Sequence, residues 1–313
     1  MSGWKLIFSK LKSRVKEFYV HMLLKNDRYV LAYPLPGMGD ILQFLMHLKS
    51  LKSQHPGKKF VILVTKRHFK ELVKLYSKVV FRVVLLSENQ CARIEEKAQG
   101  EFYTSGYWKK VYDKKNPKLY FHYSIMAGYG IPERTPAYIP QVNYSYYKNK
   151  KLMKQGLVKG KTVIIAPEAV SNKDTIPTHT WLKVASLLEK MGFKVYFNSK
   201  NQQFGRSRLL FLPLKETLQA IDLGGGFIGY RSGLCDVVSA FTKSQQIIIY
   251  PDNKVIGEHP FILGYDQNPN EKYMDYCSLK NIYPESDIIE LIYSEEALLF
   301  AVREVFGNGQ DSH

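Results

Sequence analysis

Two short segments carry the side chains best suited to chemistry. The first is Gly39-Asp40, closing the run Pro34-Leu-Pro-Gly-Met-Gly-Asp40. A carboxylate at such a turn can take the proton from an attacking hydroxyl. An aspartate there equally suits the positive end of a helix. The second is Arg231-Ser232-Gly233, with Asp236 one turn later. Ser232 is a helix-capping type, Gly233 lets a ligand approach the backbone, and the N–H groups of a first helical turn point at whatever lies above them. Arg231 adds a cation whose fork matches a phosphate. Together these residues could stabilise a departing diphosphate without a metal. The plainer reading is an ordinary strand-to-helix turn.

Other polar residues are weaker candidates. Glu168 and Ser171 follow the strand expected at 162–166, and Asp252, Asn253 and Glu258 follow the one ending at Tyr250. Each is a loop residue first and a contact to a nucleotide or sugar second. Cys235 falls inside an expected helix and reads as a small buried hydrophobe. The eight histidines are scattered, and His179 and His259 read as structural or substrate-adjacent, so no metal is expected. No Asp-X-Asp triplet occurs, which counts against the metal-dependent transferases with a single nucleotide domain.

The elements that must position these residues follow a repeating α/β rhythm. Strands are expected at 28–33, 60–64 and 79–86, with helices at 41–51 and 68–76. Residues 100–145, rich in tyrosine and proline, give no clear elements. Six lysines and no acid between Tyr144 and Lys161 read as an exposed linker. The pattern then restarts, with strands at 162–166, 194–197 and 246–250, helices at 179–191 and 213–221, and Phe227-Ile228 leading into the Arg231 turn. Helical spacing of apolar residues from 285 to 306 predicts a terminal helix or two, able to pack back across the domain junction. At the other end, Trp4, Ile7, Phe8, Leu11, Val15, Phe18 and Met22 alternate with bases. This predicts a basic amphipathic helix, lying either on an anionic membrane or on the protein body.

The totals agree with a globular α/β protein. A chain of 313 residues with 45% hydrophobic and 13% aromatic content has material for two cores. Its net charge of +17 implies an anionic partner. Specific nucleic-acid binding has little support, because no known basic motif occurs. Three widely spaced cysteines argue against a disulfide framework and suit a reducing cytosol. No apolar run reaches the roughly 18 residues of a membrane span, and charges interrupt the N-terminal apolar residues too often for a signal peptide.

The chain resembles the GT-B glycosyltransferases, and most closely the heptosyltransferase-like inverting family of lipopolysaccharide synthesis. Met38-Gly39-Asp40-Ile41 looks like the family's Gly-Asp motif, whose aspartate acts as base. Ser171-Asn172-Lys173, ahead of Pro177 and Trp181, resembles its phosphate-contacting loop and lysine. The run Pro213 to Ile228 is similar to the helix and strand before the donor motif, and Arg231-Ser232-Gly233 stands where the family has Asp-Thr-Gly. Asp236 lies near the place of a family histidine. An arginine at this strand end also resembles the fucosyltransferases that clamp a GDP pyrophosphate.

The resemblance implies two Rossmann-like domains facing across a cleft. The N-terminal helix would span 1–26, an acceptor domain 27–150, a donor domain 151–284 and the terminal helix 285–313. Asp40 would be the base. Lys173, Arg231, Ser232, Gly233, Ser171 and Glu168 would hold the donor diphosphate, and Gly39, Asp236 and Glu258 would touch sugar or acceptor. Asp236 has a second reading, as the residue that orients Arg231. The function implied is metal-free transfer from a nucleotide sugar to a glycan or lipid-linked acceptor in bacterial surface-polysaccharide assembly, at the inner face of the cytoplasmic membrane. Two alternatives are a nucleotide-sugar epimerase and a basic protein that binds RNA or anionic lipid without catalysis.

Overall fold

The computed structural model describes residues 3–34, 37–98, 102–104, 135–144, 146–169, 176–251, 274 and 278–307. These divide into two compact units, one holding the described residues up to Pro140 and the other those from Gln141 onward. Both are α/β units built on wholly parallel sheets.

The first unit opens with α1 (Gly3–Leu24) and alternates β1 (Tyr29–Tyr33), α2 (Met38–Gln54), β2 (Lys59–Val64), α3 (Arg67–Leu75), β3 (Val80–Leu85), α4 (Glu88–Lys97) and β4 (Phe102–Thr104). Its sheet runs β3-β2-β1-β4. The β1 and β2 residues are buried with no alternation, Val30 to Ala32 and Phe60 to Val64 all at 1% exposure or less. A parallel sheet covered on both faces demands such runs. Val20 and Leu23 of α1 pack with Leu31, Tyr33, Val61, Leu63, Cys91 and Ile94 on one side of it. Helix α4 begins with a capping box, in which the Ser87 hydroxyl accepts from the Gln90 N–H and the Gln90 side chain accepts from the Ser87 N–H.

The second unit begins with α5 (Tyr146–Lys154), β5 (Thr162–Ala166), α6 (Thr178–Lys190) and β6 (Lys194–Phe197). It continues with α7 (Leu214–Gly224), β7 (Gly225–Tyr230), α8 (Gly233–Phe241), β8 (Gln245–Tyr250), the short α9 (Leu279–Ile282), β9 (Ile288–Ile292) and α10 (Glu295–Gly307). The strand order is β6-β5-β7-β8-β9. A parallel bridge from Phe197 to Leu209 adds a further rung outside β6. Trp181, Val184 and Leu188 of α6 and Leu298, Val302 and Phe306 of α10 bury one face of this sheet.

The glycine triplet 224–226 joins α7 to β7 with no intervening loop. Gly225 sits at φ 90°, the left-handed position that stops the helix. A Cβ on Gly226 would lie 2.8 Å from both Phe306 and Val163, so this residue admits α10 and β5 close to the strand.

Two expectations are corrected. The lysine-rich stretch read as an exposed linker contains α5, anchored by the buried Leu152, which packs with Leu157 and Ala220 of α7. The segment read as helix from 285 starts as a strand, since Ile288–Ile292 pairs with β8 and helix begins only at Glu295. Pairing with a buried parallel strand overrides a helical spacing five residues long.

Candidate functional site

In an open α/β sheet, ligands gather beyond the carboxyl ends of the strands where the strand order reverses. In the second unit that place lies between β5 and β7, which pair in register with Ala166 beside Gly229. Pro167 and Glu168 leave β5, and Arg231 and Ser232 leave β7. The Glu168 carboxylate accepts from the Ser199 hydroxyl at 2.7 Å, and the Ser199 oxygen accepts from the Asn201 N–H at 2.9 Å. The turns after β5 and β6 are thereby tied together.

Ser232 stands at the N-cap of α8 in extended conformation, but its side chain makes no capping bond. Its hydroxyl lies 3.8 Å from the Cys235 thiol instead. Gly233 opens the helix, whose first turn leaves backbone N–H groups directed outward. Cys235 is fully buried against β7 and donates to the Tyr230 carbonyl. Burial pushes its thiol up to about 11 despite the nearby Arg231, which keeps it an inert thiol at neutral pH. Gly229 makes this packing possible, because a Cβ there would lie 2.7 Å from the Cys235 sulfur.

Arg231 is buried. Its Nη1 donates to Asp236 Oδ2 at 2.6 Å and to the Ser232 carbonyl at 3.0 Å, and its Nη2 donates to Asp236 Oδ1 at 3.1 Å. The side chains are 9% and 5% exposed. Such a bidentate pair fixes the turn against the helix it precedes and balances the guanidinium charge internally. Of the two readings of Asp236, orientation of Arg231 is the one the geometry supports.

The guanidinium also lies 5.9 Å from the centre of the Tyr250 ring. The Tyr250 hydroxyl donates to Glu290 of β9. Glu290 in turn accepts from the Leu279 N–H at 2.7 Å, the Lys280 N–H at 3.2 Å and the Ser278 hydroxyl. This chain of contacts braces the carboxyl edge of the sheet from β7 to β9. Sequence reasoning missed Glu290 and Ser199. The first stands alone in an apolar run and the second is one of many loop serines, so neither has a local signal.

In the first unit the order reverses between β1 and β4. Asp40 is the third residue of α2, half-buried, with Gly37 at the N-cap. A Cβ on Gly37 would fall 2.0 Å from Asp40 Oδ2. The carboxylate therefore folds back over the helix start, where the macrodipole favours it. Gly39 lies beside it in the first turn. Ser171, Lys173, Asp252, Asn253, Glu258 and His259 lie outside the described residues. Among the described residues no group of three His, Cys, Asp or Glu side chains could hold a metal ion.

Two α/β units with wholly parallel sheets, each with a helix start at its strand ends, belong to the broad class of doubly wound folds. The solved structures narrow it. E. coli ADP-heptose LPS heptosyltransferase II is similar at TM-score 0.52 and 12% identity, covering 90% of this chain and 99% of that one. The glycosyl transferase family 9 protein of Veillonella parvula matches at TM-score 0.59 and 10% identity, over 90% and 98%. The iron-containing dodecameric glycosyltransferase TibC of enterotoxigenic E. coli matches at 0.53 and 15%, over 90% and 76%. The chain thus has the heptosyltransferase-like glycosyltransferase fold. No family model matches it, and no curated protein matches it in sequence.

Proposed function

We propose that the protein is an inverting glycosyltransferase, moving a sugar from a nucleotide sugar to a glycan or lipid-linked acceptor of a bacterial surface polysaccharide. The observation that carries this reading is the start of α8, set where the strand order of the second sheet reverses, on a fold shared with known glycosyltransferases. The first-turn N–H groups of Ser232, Gly233 and Leu234 would bind the donor diphosphate as negative charge builds on it, with Ser171, Lys173 and Glu168 as further contacts.

Arg231 takes a changed role in this reading. Paired with Asp236, it positions the turn rather than serving as a separate phosphate clamp. Asp40 would act as general base from the first unit, removing the acceptor hydroxyl proton as that oxygen attacks the anomeric carbon; Gly39 and Glu258 would line the sugar and acceptor. The bond from the anomeric carbon to the diphosphate breaks, and the nucleoside diphosphate leaves with the charge. No metal is needed in this scheme. The two units would then face one bound donor and acceptor across a cleft, at the inner face of the cytoplasmic membrane.

The test is a thermal-shift screen with UDP-, GDP-, ADP- and CMP-sugars, starting with ADP-heptose, followed by transfer assays on wild type and Asp40→Asn. A donor that stabilises both proteins, with transfer lost in Asp40→Asn, is the expected result. Unchanged transfer in Asp40→Asn removes that residue from the mechanism. The absence of any nucleotide-dependent stabilisation removes the transferase reading itself.

A further inference from the structure

The sequence left α1 with two destinations, the protein body or a membrane. The structure separates its residues between two sides. Val20 is fully buried and Leu23 is 6% exposed, packed into the core beneath β1 and α4. Leu11, Val15, Phe18 and Met22, spaced four, three and four apart, share the other side and are 57%, 60%, 66% and 54% exposed. No described residue covers them.

The helix is held so that this side must face outward. Glu17 accepts from Arg93 of α4 at 2.9 and 2.8 Å and from Gln90 at 3.3 Å. Arg82 of β3 donates to the Tyr19 hydroxyl at 2.7 Å, and Lys16 donates to the Leu85 carbonyl at 3.3 Å. These bonds, on the body side and its margins, fix the rotation of α1 about its own axis. The apolar stripe is therefore presented ready-made.

Its surroundings are basic. Between residues 1 and 25 the sequence has six Lys or Arg residues and one acid, Glu17, which Arg93 already neutralises. Arg14 and Lys25 are exposed beside the stripe. Next to Met22 opens a recess of about 510 Å³ lined by His21, Leu24, Lys25 and Lys97. An apolar ridge edged with cations, with a basic hollow at its margin, matches an anionic bilayer. The ridge enters the acyl boundary, the lysines meet the headgroups, and one headgroup phosphate fits the hollow. A second copy of the chain fits poorly. Pairing α1 with itself would set Arg14 and Lys25 against like charges, where helix pairs use opposite ones.

We propose that the outward stripe Leu11, Val15, Phe18 and Met22, with the His21, Lys25 and Lys97 recess, docks this protein onto an anionic lipid surface. It gives the lipid-linked acceptor of the transferase reading a physical address, yet it stands on α1 and α4 alone. The test uses the full chain with phosphatidylcholine vesicles, with and without phosphatidylglycerol as one lipid in three, and no donor or acceptor. Wild type should co-sediment with the anionic vesicles only, and less as salt rises. Phe18→Glu, at an exposed position that leaves the thermal melt unchanged, should weaken binding about tenfold or more. Lys25→Glu with Lys97→Glu should erase the preference for phosphatidylglycerol.

Vesicle binding by Phe18→Glu equal to that of wild type overturns the proposal. So does a concentration-dependent dimer that Phe18→Glu dissolves while wild type ignores vesicles. Binding of inorganic phosphate in the recess without any vesicle binding would show a free-anion site instead. Because the assay contains no sugar chemistry, its failure leaves the transferase reading standing, and failure of transfer leaves this one.

Discussion

The starts of α2 and α8 solve the same problem in opposite ways. Each helix follows a parallel strand at the place where its sheet reverses order, and each presents unsatisfied N–H groups there. At α2 the chain supplies its own anion, because Asp40 folds back over Gly37. At α8 the helix's own carboxylate, Asp236, is one turn further in and is engaged with Arg231, while Ser232 withholds its capping bond. A helix start filled from within can offer a base; one left for an outside anion can take a phosphate. In the proposed scheme the same local geometry would serve two chemical roles, according to where a single carboxylate sits.

The strongest way to break this contrast is to cut the pair at α8. Arg231→Ala strands the buried Asp236 charge and should cost about 3–5 kcal/mol of stability, read from denaturant unfolding. Replacing both residues with apolar ones of similar size should recover most of that loss. A small effect in the single variant would mean the pair does not hold the turn.

Acid should strain the α2 side next. His47, buried in α2, is held down to about 4 by burial. Its folded value lies below the unfolded value near 6.5, so the stability it contributes is complete above pH 6.5 and is lost as pH falls toward 4. The loss approaches roughly 3 kcal/mol at 1.36 kcal/mol per unit. Chevron or equilibrium unfolding across that window should show the slope in wild type and its absence in His47→Leu.

The smallest effect tests the fold-back itself. Gly37→Ala places a methyl where Asp40 Oδ2 now lies, so the carboxylate must swing away and α2 loses about 1 kcal/mol or less. Transfer should fall as in Asp40→Asn with donor binding intact. Full activity in Gly37→Ala would show that the folded-back position is structural only.

Much of this frame could be read from residue patterns. The strands at 162–166 and 194–197 stand where apolar runs put them, and α8 opens at Gly233 directly after Ser232, where the turn was expected, although Ser232 makes no capping bond. What escaped has physical reasons. Helix α4 buries only Gln90 and two apolar side chains, Cys91 and Ile94, among charged neighbours, so its periodicity is faint, although Ser87 and Gln90 form a legible capping pair. Helix α5 carries one deep anchor among its described side chains, Leu152, inside a lysine run. Strand β9 satisfies a helical spacing until β8 claims its backbone. At the candidate site, residue types pointed to Arg231 and Asp236, but only side-chain geometry reveals that they spend their charges on each other. The stripe on α1 was visible as a pattern, while its direction depends on bonds to Gln90, Arg93 and Arg82, far away in sequence.

The glycine joint at 224–226 also sets how this protein can change. A crossover with a connecting loop can let an added residue bulge toward solvent. Here the backbone passes from helix to strand within one left-handed residue, against Thr162 on one side and Phe306 on the other. An insertion at this point has nowhere to go except along β7, pushing Arg231 out of register with Asp236. Length variation in a laboratory-evolved population should therefore spare this joint, even though it lies at the opposite end of the strand from the candidate site.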